Sequence, residues 1–349
     1  MTTPFQDPKL RQRGRASVDF LAGMAAASGP VRAAVDAAIA EKVPAPDALP
    51  DDLDERLAHM DAELADCPAY PVQQLLGDWH GRMHGRISAE AFEEVEDDLA
   101  PLFEAAEKGP ATLRLDPAMK APDYWDGVHF HRTTGGWEGH DNMGYIHGEI
   151  IHKKLVGRFF PGGIFQQRRD VAAMAPRDAY ARILDMGCSS GHFTTALAET
   201  YPEAQITGVD LSARMLEHAW RTANANGWNW QLSQQAAEAT DFEDASFDLV
   251  ASYIILHEMP AHAIRAVFAE AFRLLEAGGD MLMSDVTRYG DMDKLAVWKA
   301  DRGAMFGGEP HWRESAELDL EAIAREAGFE NVTTSGPYPY VIQGRKPAA

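Results

Sequence analysis

Ile183-Leu184-Asp185-Met186-Gly187-Cys188-Ser189-Ser190-Gly191-His192-Phe193 is an apolar, β-prone run that enters a glycine turn and leaves as a helix. Gly187 permits a ligand to approach the turn closely, and Gly191 lets helix and strand pack tightly. A second strand ends Gly208-Val209-Asp210-Leu211-Ser212, which places Asp210 25 residues (210 − 185) after Asp185. An acid closing that strand is positioned to hold both hydroxyls of a ribose, so the two strands together ask for a nucleoside.

They do not ask for a dinucleotide. Its fingerprint needs glycines spaced GxGxxG, but position 189 is Ser and position 192 is His, so a pyrophosphate would meet side chains instead of bare backbone. Asp185, just before the turn, repels phosphate and attracts a cation such as an amino-acid ammonium. That preference points to S-adenosyl-L-methionine (SAM).

Outward from this stretch, strands and helices alternate. Strands are predicted at 182–186, 205–209, 247–253 and 280–284, with Tyr340 to Arg345 as a last strand; helices fall near 191–200, 212–226, 261–276 and 317–327. Alternation of this kind implies right-handed βαβ units and an open parallel sheet, an α/β fold.

At these residues the chain resembles the class I SAM-dependent methyltransferases, over roughly Ala181 to Lys346. Asp185-x-Gly187-x-x-x-Gly191 matches the first motif of the family and Asp210 its ribose acid. Phe247-Asp248-Leu249-Val250 matches its fourth strand, and Leu274-Leu275-Glu276-Ala277-Gly278-Gly279 the turn before its fifth. Two positions depart: the usual middle glycine is Ser189, and the usual acid for the adenine amino group is replaced in Ala236-Ala237, beside Glu238. The resemblance implies a Rossmann-like seven-stranded sheet, SAM as cofactor and S-adenosyl-L-homocysteine as product. It places Asp185, Gly187, Ser189, Gly191, Asp210, Leu211, Ala237 and Glu238 on the cofactor, with Met215 either over the adenine or in the core.

The N-terminal half has another texture. From Ala16 to about Lys108 the apolar spacing is helical, broken at Gly29-Pro30 and by the Val43 to Asp52 loop; Ser88 is the expected cap of a helix carrying Phe92, Val95, Leu99 and Phe103. Residues 121 to 169 are rich in His, Gly and aromatics, reading as a loop and then a helix from Met143 to Phe159. The expected organisation is a helical region at 1–120 serving as lid or dimer arm, a pocket-covering segment at 121–175, and a methyltransferase domain at 176–349.

Methyl transfer to a hydroxyl requires removal of a proton, whereas a thioether has none to lose. The candidate bases are His257, at the end of the fourth-strand motif, and His131 and His147 in the covering segment. On an α-helix Tyr145, Glu149 and His152 fall at i, i+4 and i+7 and share one face, a patch for an acceptor. Trp137 and His140 belong to a glycine-rich loop suited to closing over a small molecule, and Arg288 and Trp312 flank the insertion after the fifth motif strand. O-methylation of a small organic acceptor is favoured, with S-methylation of a thiol or thioether acid, or a non-methylating SAM reaction, as alternatives. His129, His131 and His140 lack a carboxylate at ligand spacing, so no metal is expected.

Composition fits this reading. The 349 residues are 46% apolar and 25% charged, typical of a globular chain of roughly two domains. With 32 basic and 54 acidic residues the net charge is −22, a field that repels nucleic-acid backbones and anionic membranes. The partner expected is a small-molecule acceptor, with a homodimer open. Two cysteines outside any zinc spacing suit a reducing cytosol, and neither a signal peptide nor a membrane span is expected.

Overall fold

The computed structural model describes residues 3–160 and 162–348. Eight strands form one sheet: β1 (Thr112–Arg114), β2 (Arg182–Met186), β3 (Gln205–Asp210), β4 (Gln231–Gln234), β5 (Phe247–Tyr253), β6 (Leu275–Asp285), β7 (Glu330–Ser335) and β8 (Tyr340–Arg345). Their order across the sheet is β1-β4-β3-β2-β5-β6-β8-β7. Pairing is parallel from β1 to β6, while β8 runs antiparallel to both β6 and β7.

The five strands read from the sequence are present, β4 and β7 complete the seven that the resemblance implies, and β1 adds an eighth at the edge beside β4. Three residues carry no readable periodicity; the partner strand creates β1, through bonds such as Thr112 N–H to Trp230 O at 2.9 Å. β2 and β5 are almost wholly buried because helices cover both faces, which is why they read as continuous apolar runs. Successive residues point to opposite faces: Ile183 joins Phe193, Leu197 and Trp230 on one side, and Leu184 joins Val250, Phe268 and Met281 on the other.

Five helices, Gln12–Ala27, Gly29–Lys42, Leu53–Glu63, Ala69–Glu93 and Glu96–Ala106, precede the sheet. The break at Ser28 falls beside Gly29-Pro30, but Ser88 is no cap. It lies buried inside the 25-residue helix Ala69–Glu93, and the chain turns instead at Glu94 and Val95. These helices share cores with later segments. Phe92, Leu99 and Phe103 pack with Tyr145, Ile146, Ile150 and Met215, while Tyr70 and Met60 pack with Trp298.

Residues 143–159 are helical but not uniformly α. Met143–Tyr145 is an α turn, Ile146–Leu155 a π-helix and Val156–Phe159 a 3₁₀ turn. No helix among the described residues is long and apolar enough to cross a membrane.

Candidate active site

At the C-terminal ends of β2 and β3 the backbone builds a nucleoside cradle. The N–H groups of Gly187 and Cys188 both donate to Val209 O, at 2.8 and 2.9 Å, tying the turn to β3. Gly187 takes a left-handed φ of 71°, and a Cβ there would run into the Ile255 side chain. Ser189 also takes a left-handed φ, 48°, and its N–H donates to Asp210 Oδ2 at 2.8 Å. The Ser212 N–H donates to Oδ1 at 2.9 Å, so Asp210 is held at both oxygens. Burial raises its pKa to about 6 even though those N–H bonds oppose the shift.

A cavity of about 1250 Å³, open mouth included, lies over this cradle. Gly187, Ser189, Asp210, Leu211, Met215, Ala237 and Glu238 all line it. Glu238 Oε1 accepts from the Tyr124 hydroxyl at 2.7 Å, while its Oε2 is buried with no partner in the protein. That orphaned oxygen, in the same cavity as Asp210, suits an adenine amino group, so the residues present fit SAM. Asp185 does not reach the cavity. It is fully buried beneath the turn, accepts from Thr194 Oγ1 at 2.6 Å, and is raised to about 7 by burial against the opposing effect of that bond. Gly191 likewise stands back, packed against Ala219 and Trp230.

The opposite wall comes from residues 124–168 and the end of β5. Gly148 seats the π-helix on the turn: a Cβ there would lie 3.0 Å from Ser190 Oγ and 3.3 Å from His192 Nε2. His147 faces the cavity, edge-on to Trp137 at 4.6 Å between ring centroids and 4.0 Å from His152. Burial, reinforced by His131 and Arg168, holds its imidazole well below the ordinary range and so neutral.

The other two histidines are held in the opposite state. His131, at a left-handed φ of 51°, places Nε2 3.2 Å from Glu258 Oε1 and bonds Glu309 through Nδ1. His257 Nδ1 lies 3.1 Å from Asp285 Oδ1, and its Nε2 lies 3.9 Å from Glu309 Oε2. Burial disfavours both imidazoliums, but the carboxylates outweigh it: His257 is raised to about 9 and His131 well above its usual value. Trp137 Nε1 donates to Glu258 Oε2 at 3.2 Å, joining the loop to this network.

Comparison with known proteins agrees with the cradle. Residues 183–279 match the model of a family described as a methyltransferase domain. The chain is 33% identical over 152 residues to a malonyl-[acyl-carrier protein] O-methyltransferase of Legionella pneumophila, covering 43% of this chain and 48% of that protein. It is 32% identical over 120 residues to a ubiquinone/menaquinone biosynthesis C-methyltransferase of Desulfotalea psychrophila, covering 34% and 47%. An arsenite methyltransferase of Aquipseudomonas alcaligenes is 28% identical over 191 residues, covering 51% and 50%. These matches support a class I SAM-dependent methyltransferase domain, matched over residues 183–279. The chain spans about half the length of these curated relatives.

Around the methyltransferase domain, several expected acceptor residues stand outside the cavity. In the π-helix hydrogen bonds run from i to i+5, more residues enter each turn, and the α-helical stripe is lost. Tyr145 and Glu149 therefore turn toward the N-terminal helices: Tyr145 packs on Phe92, Phe103 and His218, and Glu149 pairs with Lys153 and His218. His140 packs edge-on to Phe92, with its Nδ1 accepting from the Asn142 N–H. Arg288 is buried behind the network, donating to Val286 O and Ser315 O. Trp312 backs His257 at 5.3 Å without lining the cavity.

Sequence reasoning missed Arg168, His192 and Glu309, while His152 alone of the expected Tyr145, Glu149 and His152 patch lines the cavity. Arg168 sits in Gln166-Gln167-Arg168-Arg169-Asp170, which reads as a solvated helix face. His192 lay inside the quoted motif but counted only against a pyrophosphate. His152 pairs with His147 at i+5, a spacing that carries signal only once the π-helix is known. Glu309 precedes Pro310 on the insertion and had no local pattern to mark it.

Proposed function

We propose that this chain transfers the methyl group of SAM to an oxygen of a small organic acceptor, with His147 as the base. The observation that carries this reading is the neutral imidazole of His147, which lines the same cavity as the Gly187 to Ser190 turn. A hydroxyl acceptor needs a proton acceptor in place, and a histidine kept neutral is ready to serve at neutral pH. His131 and His257, both held as imidazolium, are poor bases and suit a positioning role for Glu309 and Glu258. The Legionella relative carries an oxygen acceptor in its name, which supports the same choice.

A small acceptor follows from the cover. Trp137, His147 and Tyr124 close over the cradle, and all three lie outside the stretch matched by the family model. Acceptor choice therefore rests on residues 121–175 and on the insertion that carries Glu309. The test is formation of S-adenosyl-L-homocysteine from SAM with fractionated metabolites, in wild type and His147→Ala. Product formed by wild type and lost by the variant, with SAM affinity unchanged, supports the reading. Equal turnover in both would move the choice to a sulfur acceptor.

A further inference from the structure

One wall of the cavity holds a cation with no counterion among the described residues. Arg168, on the helix Ile164–Ala172, is 8% exposed and lines the cavity with its guanidinium 4.7 Å from the centre of the Tyr253 ring. Its Nη1 donates to Ile164 O at 2.8 Å, and its Nε is buried with no acceptor. Among the described residues it forms no ion pair, whereas most arginines of this acidic chain do. Beside it stand His152 and His192, ring centroids 5.5 Å apart; Nδ1 of the first and both nitrogens of the second have no partner.

Burying a guanidinium without a counterion is costly, because the charge loses its water and gains no opposite charge in return. The neighbours feel this charge: burial and then Arg168 drive His192 well below its ordinary range, and burial, His147 and Arg168 do the same to His152. Arg168 Nε, His152 Nδ1 and both His192 nitrogens thus stand without a partner on this wall. An anion reaching it would meet a charge-assisted donor in a water-poor site, where such bonds are strongest.

We propose that Arg168 is a carboxylate receptor, taking either the amino-acid carboxylate of the cofactor or a carboxylate of the acceptor. The proposal deepens the reading of this cavity as a SAM site and rests on it. A carboxylate is the anion both ligand classes supply, and Arg pairs with it through parallel N–H donors in a way that Lys cannot.

The experiment measures binding of S-adenosyl-L-homocysteine, 5′-methylthioadenosine and malonate to the full chain, in wild type, Arg168→Met and Arg168→Lys. Methylthioadenosine keeps the nucleoside and thioether but lacks the carboxylate. If the cofactor is the source, Arg168→Met weakens S-adenosyl-L-homocysteine by about 10- to 100-fold and leaves methylthioadenosine unchanged, with Arg168→Lys between. If the acceptor is the source, both nucleosides bind all three proteins equally. Malonate then raises the melting temperature of the wild type bound to S-adenosyl-L-homocysteine and not that of Arg168→Met. Because the charge is unpaired in the empty protein, Arg168→Met should melt no lower than wild type, which shows that it folds. A folded Arg168→Met that matches wild type for all three ligands overturns the inference. Wild type that binds neither nucleoside but is stabilised by malonate through Arg168 would overturn the SAM reading and leave the carboxylate site standing.

Discussion

His257 Nδ1 lies 3.1 Å from Asp285 Oδ1, a buried pair that joins the end of β5 to the end of β6. Burial opposes the imidazolium, but Asp285 and Glu309 outweigh it and raise His257 to about 9 from an ordinary 6.5. The folded protein thus holds this proton more tightly than the unfolded chain. The stabilisation is complete below pH 6.5 and is lost as pH rises through 9, amounting to at most about 3 kcal/mol. Melting of wild type and His257→Gln across pH 6 to 9.5 should show a gap that narrows with rising pH. A gap that stays constant would count against the charged pair.

His147 gives a second expectation. Its imidazole is neutral well below pH 6.5, so turnover on a hydroxyl acceptor should be flat between pH 6.5 and 8 in wild type. A base of ordinary pKa would instead give a rate rising through 6.5, and His257 one rising toward pH 9. His147→Ala should lower single-turnover methyl transfer by about 10²- to 10⁴-fold with S-adenosyl-L-homocysteine affinity unchanged. A loss below about tenfold would remove His147 from proton transfer.

Asp210 should make cofactor binding pH-dependent. Ribose hydroxyls donate to the carboxylate, so binding favours the ionised form, and the empty protein protonates it near pH 6. Affinity for S-adenosyl-L-homocysteine measured by calorimetry should fall by about tenfold per pH unit below 6 and level off above 7. Asp210→Ala should lose about 1–3 kcal/mol at pH 7.5 and this added pH dependence with it. Wild-type affinity in the variant would exclude Asp210 from the ribose.

Gly144 governs how the cover meets the cofactor domain. A Cβ there would strike the Arg214 carbonyl and lie 2.8 Å from His218 Cβ and 3.0 Å from Met215 Cα, all on the helix Ala213–Asn226. Gly144→Ala should therefore destabilise the protein by about 1–3 kcal/mol in urea unfolding. Gly127→Ala, where a Cβ meets nothing but φ is 70°, serves as the control for backbone strain alone.

The sheet and the cofactor cradle were legible because their signals are local. A strand, a glycine turn and an acid at the next strand end are each set by a few adjacent residues. β1, β4 and β7 were not: β1 and β4 have three and four residues, and β7 is a mostly exposed polar edge, so pairing and not apolar pattern defines them. The acceptor wall was half legible. His131, Trp137 and His147 reach the cavity as their segment suggested, but the face shared by Tyr145, Glu149 and His152 assumed α-helical winding. Arg288 was named as a candidate and Arg168 was not, because sequence shows charge and not which cations end up paired. Arg168 shows only in three dimensions, through the missing partner.

β1 has a dynamic consequence. It anchors residues 112–114 at the β4 edge, while 143–159 is pinned on the helix Ala213–Asn226 through Gly144. The stretch between is thus a loop staked at both feet, and it cannot swing away as a hinged body without stripping a strand from the sheet. Ligand exchange must pass through local rearrangement of that loop, where Gly127, Gly135 and Gly136 all take left-handed φ values. Hydrogen exchange should accordingly be fast between residues 121 and 140 and slow at both stakes, in free and nucleoside-bound protein alike.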